Sequence, residues 1–364
     1  MSALFTPIHL RDLELPNRIA VAPMCQYVSR EGMMHDWHLM HYGQLSMGAG
    51  ALMMTEATHV SSIGRITPGC AGLWNDEQEA AVKRIVDFAR EYGTSHLGMQ
   101  IAHAGRKASC NTPLNGNQPL SADEGAWQTV GPSALPYGPD WHTPSALDEA
   151  GMAEIKSQFV DTTKRAERIG FDVIEMHAAH GYLLNQFLSP LSNQRDNGYG
   201  GTLEKRMRFP LEVFAAMRAV WPQNKPLGVR VSAIDWVDGG TTIEDTIAFA
   251  KEVEALGCDF IDVSSAGLDY RQKITTGPGY QVGFASAIKQ HVSMPVIAVG
   301  MITQPTQAEA IIADGDADMV MLARGMLDDP HWSWHAAGEL GAEVVYPPQY
   351  IRASPKYWRT DRKA

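Results

Sequence analysis

Residues 152–177, MAEIKSQFVDTTKRAERIGFDVIEMH, hold a helix, a stop and a strand in that order. Apolar residues at helical spacing run up to Gly170, and glycine is the usual residue just past a helix end. FDVIEMH (171–177) then carries a nearly unbroken apolar run, the pattern of a parallel strand buried on both faces. The unit recurs along the chain. Similar runs stand at 18–23 (RIAVAP), 51–57 (ALMMTEA), 96–102 (HLGMQIA), 226–232 (PLGVRVS), 258–265 (CDFIDVSS), 294–300 (MPVIAVG) and 317–323 (ADMVMLA). Helical patterns at 76–93 and 242–257 also end at glycine. Eight strand–helix units predict an α/β fold, a (β/α)8 TIM barrel. An open doubly wound sheet would normally show GxGxxG after an early strand, and none follows one here.

Two stretches break the rhythm. Residues 103–150, rich in Pro, Gly, Asn and Ser, are expected to form a capping insertion after strand three. Residues 341–364 form an aromatic and basic tail whose prolines argue against one long helix. The expectation is one domain over 1–364.

Composition narrows the function. Apolar residues are 45% and charged residues 20% of the 364, so a sizeable core is available and disorder is not expected. A net charge of −11 argues against nucleic acid as the main partner. The N-terminus lacks the basic-then-apolar order of a signal peptide, and no apolar run is long enough for a membrane helix. Four scattered cysteines (Cys25, Cys70, Cys110, Cys258) show no metal spacing and fit a cytoplasmic protein with reduced thiols.

Chemistry in such barrels sits at the C-terminal ends of the strands. Strand one ends in Ala22, Pro23, Met24, Cys25 and then Tyr27; strand three brings Gln100, His103 and Arg106. Strand four delivers His177, His180 and Tyr182, and strand five carries Arg230 inside an apolar run. A permanent charge there requires either an ion pair within the barrel or a bound anion. AVGMIT after strand seven and LARGML after strand eight place Gly300, Ala323 and Arg324 where phosphate sites commonly form, although ordinary turns would also explain them.

HAAH (177–180) has three readings. A metal site lacks a third ligand at suitable spacing, and HExxH is absent. The two imidazoles could be satisfied by backbone groups. Their place at a strand end favours neutral donors to a substrate oxygen, with Tyr182, protonated at pH 7, as the acid. For Cys25, an inert thiol, a nucleophile and a cofactor contact all stay open.

These motifs together resemble the Old Yellow Enzyme family of flavin-dependent ene-reductases, in its xenobiotic-reductase-like bacterial branch. LPNRIAVAPMCQY, DWH at 36–38, GRITPGCAGLW, QIAHAGRKAS, IEMHAAHGYLLNQFLSPLSN, YGGTLEKRMRF, GVRVS, AVGMIT and LARGML occur in order over nearly the whole chain. The resemblance implies noncovalent FMN at the barrel top and NADPH or NADH as reductant. Ala22, Pro23, Met24 and Cys25 would lie along the flavin, with Ala57 and Gln100 at its pyrimidine edge. Arg230 would offset the charge of the reduced flavin, and Gly300, Ala323 and Arg324 would hold the phosphate. His177 and His180 would bind a carbonyl oxygen of an activated alkene (an enone, enal or maleimide, with nitro compounds a further class). Tyr182 would supply the proton and Tyr27 would position the substrate. Arg352 would reach a neighbouring active site in a homodimer or homotetramer.

Some residues depart from the family pattern. Asn197 and Lys205 replace an aspartate and an asparagine that are usual there, and Met301 occupies a variable position beside the pocket. Iron–sulfur relatives on this fold are disfavoured by the scattered cysteines. A Schiff-base enzyme would need a lysine inside a strand, and none of the eight runs has one. A flavin-binding or sensory protein without turnover is the remaining alternative.

Overall fold

A computed structural model describes residues 2–48 and 50–358, so residues 359–364 of the tail lie outside the described residues. Eight strands form the barrel: β1 (Ile19–Val21), β2 (Leu52–His59), β3 (His96–Ala102) and β4 (Val173–Ala178), then β5 (Leu227–Ser232), β6 (Ile261–Ser264), β7 (Val296–Ala298) and β8 (Met319–Leu322). All are parallel, each pairs with its neighbours in chain order, and β8 closes on β1. Helices α1 (Asp36–Ser46), α2 (Asp76–Tyr92), α3 (Glu149–Ile169), α4 (Leu203–Val220), α5 (Ile243–Ala255), α6 (Val282–Lys289), α7 (Pro305–Ala313) and α8 (Trp332–Leu340) alternate with them. The expected barrel is borne out. Several starts have a local cause: Asn75, Asp148 and Thr242 cap α2, α3 and α5 by accepting from Gln78, Gly151 and Asp245 N–H.

Alternation along each strand makes two cores. Ile174, Met176 and Ala178 of β4 face the helices, while Val173 joins Leu52, Phe260, Ile297 and Met319 inside the barrel. A hairpin of Ile8–Leu10 with Leu13–Leu15 seals the N-terminal end through Leu10 and Leu15, both fully buried. Gly228 of β5 makes room for the inward Phe260, because a Cβ there would lie 2.3 Å from that ring. Burying each such large side chain stabilises the fold by about 1.5–3 kcal/mol. The bottom of the barrel is thus packed, and its open, polar end is the top.

Segment 103–150 is more ordered than a plain loop. It holds three short 3₁₀ turns and a two-residue ladder, Val130–Gly131 with Ser145–Ala146. Its Trp127 and Trp141 pack in one apolar cluster with Cys25, Tyr27 and Tyr182.

Candidate active site

Strand alternation carries the apolar interior into a polar layer. On β4, Glu175 and His177 follow Val173 on the inward face; Glu175 stands opposite Gln100 of β3, and His177 opposite Arg230 of β5. Arg230 in turn stands opposite Asp262 of β6. Gln100 Nε2 donates to Glu175 Oε1 at 2.7 Å. Arg230 Nε lies 2.9 Å from Asp262 Oδ2, an ion pair whose N–H does not point along the hydrogen-bond direction. Both carboxyls are fully buried, and burial pushes both above the usual carboxylate range.

Above this layer the imidazoles form a directed chain. Ala179 N–H donates to His177 Nδ1 at 3.1 Å, which puts the proton of neutral His177 on Nε2. That Nε2 faces His180 Nδ1 at 3.3 Å, and His180 Nε2 meets Ser264 Oγ at 2.8 Å. Burial first, then Arg230 and Lys107 among other charges, holds both imidazoles neutral, far below their ordinary value. The Tyr182 ring stands edge-on to His177 at 5.0 Å. Burial raises its phenol well above 10, so it keeps its proton at neutral pH. The backbone at His180 is left-handed, with φ +59. Ser232 Oγ accepts from its N–H, and Lys107 Nζ donates to its carbonyl.

A cavity of 340 Å3 opens at the barrel top; none of the three rings lines it, and it meets them through Ser264, bonded to His180, and Arg230, opposite His177. Ala22, Arg230, Gly300, Met301, Ala323 and Arg324 line it, together with Ser264, Tyr280 and Gln281. Two permanent cations, Arg230 and Arg324, face one space and shape it for an anionic ligand. Arg230 pairs with a strand carboxylate and also lines the cavity. Gly300 has φ +112, and a Cβ there would come within 3.0 Å of the Gln281 side chain.

The profile of the NADH:flavin oxidoreductase / NADH oxidase family matches residues 3–343. The chain belongs to this family. Among curated relatives, NADPH dehydrogenase of Geobacillus thermodenitrificans is 40% identical over 98% of this chain and 99% of its own length. NADPH dehydrogenase of Bacillus subtilis strain 168 is 41% identical over 96% and 98% of the two chains. Among solved structures, morphinone reductase aligns with a TM-score of 0.78 at 29% identity, covering 96% of this chain and 92% of that one. A 2-naphthoyl-CoA reductase aligns at 0.83 but at only 22% identity; this chain covers 95% of itself and 53% of that longer protein, which shows the fold alone. The Old Yellow Enzyme resemblance is borne out: this is an FMN-dependent oxidoreductase with a nicotinamide reductant.

Within this flavin oxidoreductase, other expected residues fall into distinct places. Cys25 shares an apolar cluster with Tyr27 and Cys70. Pro23 and Met24 are partly buried beside it. His103 is buried and does not line the cavity; its Nδ1 accepts from Gly105 N–H. Arg106 ties the insertion to the loop after β6, through the carbonyls of Leu135, Pro136 and Leu268. Arg352 is exposed on the turn Pro348–Ala353, where Tyr350 packs near Trp334. Among the described residues, no hydrogen bond or ion pair joins Arg352 to the site. Asn197 Oδ1 accepts from Arg195 and from Tyr199 N–H, so this departure serves a loop. Met301 lines the cavity with φ +56.

Sequence reasoning missed Ser264, Tyr280 and Gln281. Ser264 ends β6, and the Pro-Gly turn at 278–279 was the available signal for the other two. It also missed Glu56 beneath the β1 end, which accepts from Gln26 N–H and the Tyr42 hydroxyl and faces His38 Nε2. Among the described residues, no helix is long and apolar enough to cross a membrane.

Proposed function

We propose that this oxidoreductase reduces activated carbon–carbon double bonds, taking enones, enals and maleimides. The carrying observation is the Ala179 N–H bond to His177 Nδ1, which fixes His177 Nε2–H as a donor beside a protonated Tyr182. A carbonyl oxygen set against that N–H is polarised, and charge developing on it is stabilised by a donor already in place. When the Ser264 hydroxyl turns from Gln281 Oε1 to His180 Nε2, His180 carries its proton on Nδ1; the two N–H groups then no longer bond each other, and both point to the same oxygen. Tyr182 supplies the proton to the α-carbon.

The lining residues fit FMN. Two guanidinium groups, the Gly300 cradle and the carboxamide layer match an anionic, hydrogen-bonding ligand. Gly300, Ala323 and Arg324 hold its phosphate, and Arg230 offsets negative charge on its ring. Ala22, Pro23, Met24 and Cys25 line the ring's face. Ala57 and Gln100 serve its polar edge, and Gln100 keeps its carbonyl oxygen available because its amide nitrogen is engaged by Glu175. The cofactor, when bound, supplies the hydride. Tyr27 positions the substrate from the Tyr182 cluster. The chain acts in the cytoplasm as a homodimer or homotetramer in which exposed Arg352 meets a neighbour's active site.

The test is optical. Purified protein should be yellow, bleach with NADPH under anaerobic conditions, and recover on adding cyclohexenone. A bleached protein that cyclohexenone leaves unchanged would rule out the double-bond activity.

A further inference from the structure

Lys107 lies in the insertion, beside the proton donor, with an environment unusual for a lysine. Its Nζ donates to the carbonyls of His180 at 2.8 Å and Gly267 at 2.7 Å. The same ammonium sits over the rings of Tyr137 at 4.8 Å and Tyr182 at 5.3 Å. Among the described residues no carboxylate lies within ion-pair distance of it. A cation held by two carbonyls and two aromatic faces keeps unspent attraction for any negative charge that appears nearby. One nearby group does become negative if Tyr182 acts as an acid.

We propose that Lys107 is the positioning and charge-compensating residue for proton donation by Tyr182. The inference rests on the reading of Tyr182 as the acid. In the step, the phenolic O–H bond breaks and a C–H bond forms at the α-carbon. The phenolate left behind faces the Lys107 ammonium until water returns a proton to it. Through its bond to the His180 carbonyl, the same ammonium also holds the left-handed turn that aims His180.

Burial lowers the Lys107 ammonium to about 8, which places its loss of charge within reach of experiment. Its other neighbours titrate elsewhere. His177 and His180 stay neutral, Tyr137 and Tyr182 are raised, Cys110 is raised to about 12, and Arg106 is lowered only to about 10. Asp269, near Arg106 and Tyr137, is held below its ordinary value. Cys70, in the apolar cluster that Tyr182 packs against, is the exception, because its thiol is lowered from the ordinary value of 9.0. It therefore needs its own control.

The experiment uses the FMN-loaded chain, reduced anaerobically and mixed with cyclohexenone across neutral to alkaline pH. Reoxidation in the natural protein should slow as pH rises through about 8. Lys107→Met should be at least about tenfold slower at neutral pH and lack that limb, since one unit of charge interaction is a factor of ten. Lys107→Arg should recover most of the rate and move the limb to higher pH, and Cys70→Ala should keep it in place. A limb that survives Lys107→Met, or vanishes in Cys70→Ala, overturns the proposal.

If Lys107→Met loses FMN or its folded circular dichroism, the Arg variant decides by ultraviolet titration. Comparing Lys107→Arg with Lys107→Arg/Tyr182→Phe isolates the Tyr182 phenolate band. That band should appear at lower pH than in the natural protein, and an unchanged midpoint overturns the pairing. This titration needs no substrate. Failure of cyclohexenone to reoxidise the natural protein would therefore sink only the double-bond reading.

Discussion

Gln100 donates to Glu175 at 2.7 Å across β3 and β4, on the same inward layer where Arg230 pairs with Asp262. Two buried carboxyls thus share one guanidinium. An unneutralised charge inside a barrel is far costlier than a retained proton. Glu175 resolves this by keeping its proton: burial raises its carboxyl first, Asp262 adds to the shift, and Arg230 and Gln100 oppose it.

The sign of the pH effect follows. In the unfolded chain Glu175 ionises near its ordinary value of about 4.3. Between that value and its raised folded value, the folded state binds the extra proton, so stability falls as pH rises by about 1.4 kcal/mol per unit. Glu175→Gln keeps the acceptor for Gln100 and removes the titration. Denaturant midpoints measured from about pH 5 to 7 should decline less steeply in the variant. Parallel slopes would show that Glu175 is ionised in the fold.

Arg230→Ala should destabilise the protein by about 3–5 kcal/mol, because Asp262 is left buried without a counter-charge. Arg230→Met combined with Asp262→Leu should regain most of that loss in urea unfolding yet bind FMN poorly. Full FMN affinity in the double variant would assign Arg230 to the ion pair alone.

Tyr182→Phe removes the acid but leaves His177 and His180 in place. Reoxidation by cyclohexenone should slow about 100-fold or more, the usual contribution of a positioned acid. Bleaching by NADPH and FMN content should stay close to those of the natural protein. Replacing both histidines by alanine should likewise impair enone reoxidation far more than flavin binding. Equal loss of both functions would contradict their role as oxygen donors.

Gly300→Ala should weaken FMN binding. The backbone there has φ +112, and the new methyl would press on Gln281, which Ser264 and Ser265 hold in place. Strain of this kind costs about 1–3 kcal/mol. Fluorescence titration of the apoprotein with FMN reads the change directly, and an unchanged dissociation constant would remove Gly300 from the cradle.

The barrel was legible because its signal is repetitive. Each apolar run had to be buried on both faces, and each helix stop restarted the pattern, so eight units implied closure before any contact was known. His177, His180, Tyr182, Arg230 and Arg324 were legible too, as polar residues at strand ends where such barrels do chemistry. Lys107 was not, because a lysine in a loop rich in glycine and serine looks like any solvated surface charge. Glu175 and Asp262 were hidden within strands whose overall apolarity identified them as strands.

By itself the sequence determined the order of elements, the polar set at the strand ends and the family, because those depend on local spacing and motif content. Only the tertiary structure decided the partners: Gln100 with Glu175, Arg230 with Asp262, His180 with Ser264, and Lys107 between His180 and Gly267. The physical reason is barrel closure. Register across parallel strands brings residues far apart in the chain to one level, and the low polarity of that interior then decides which of them keeps a proton.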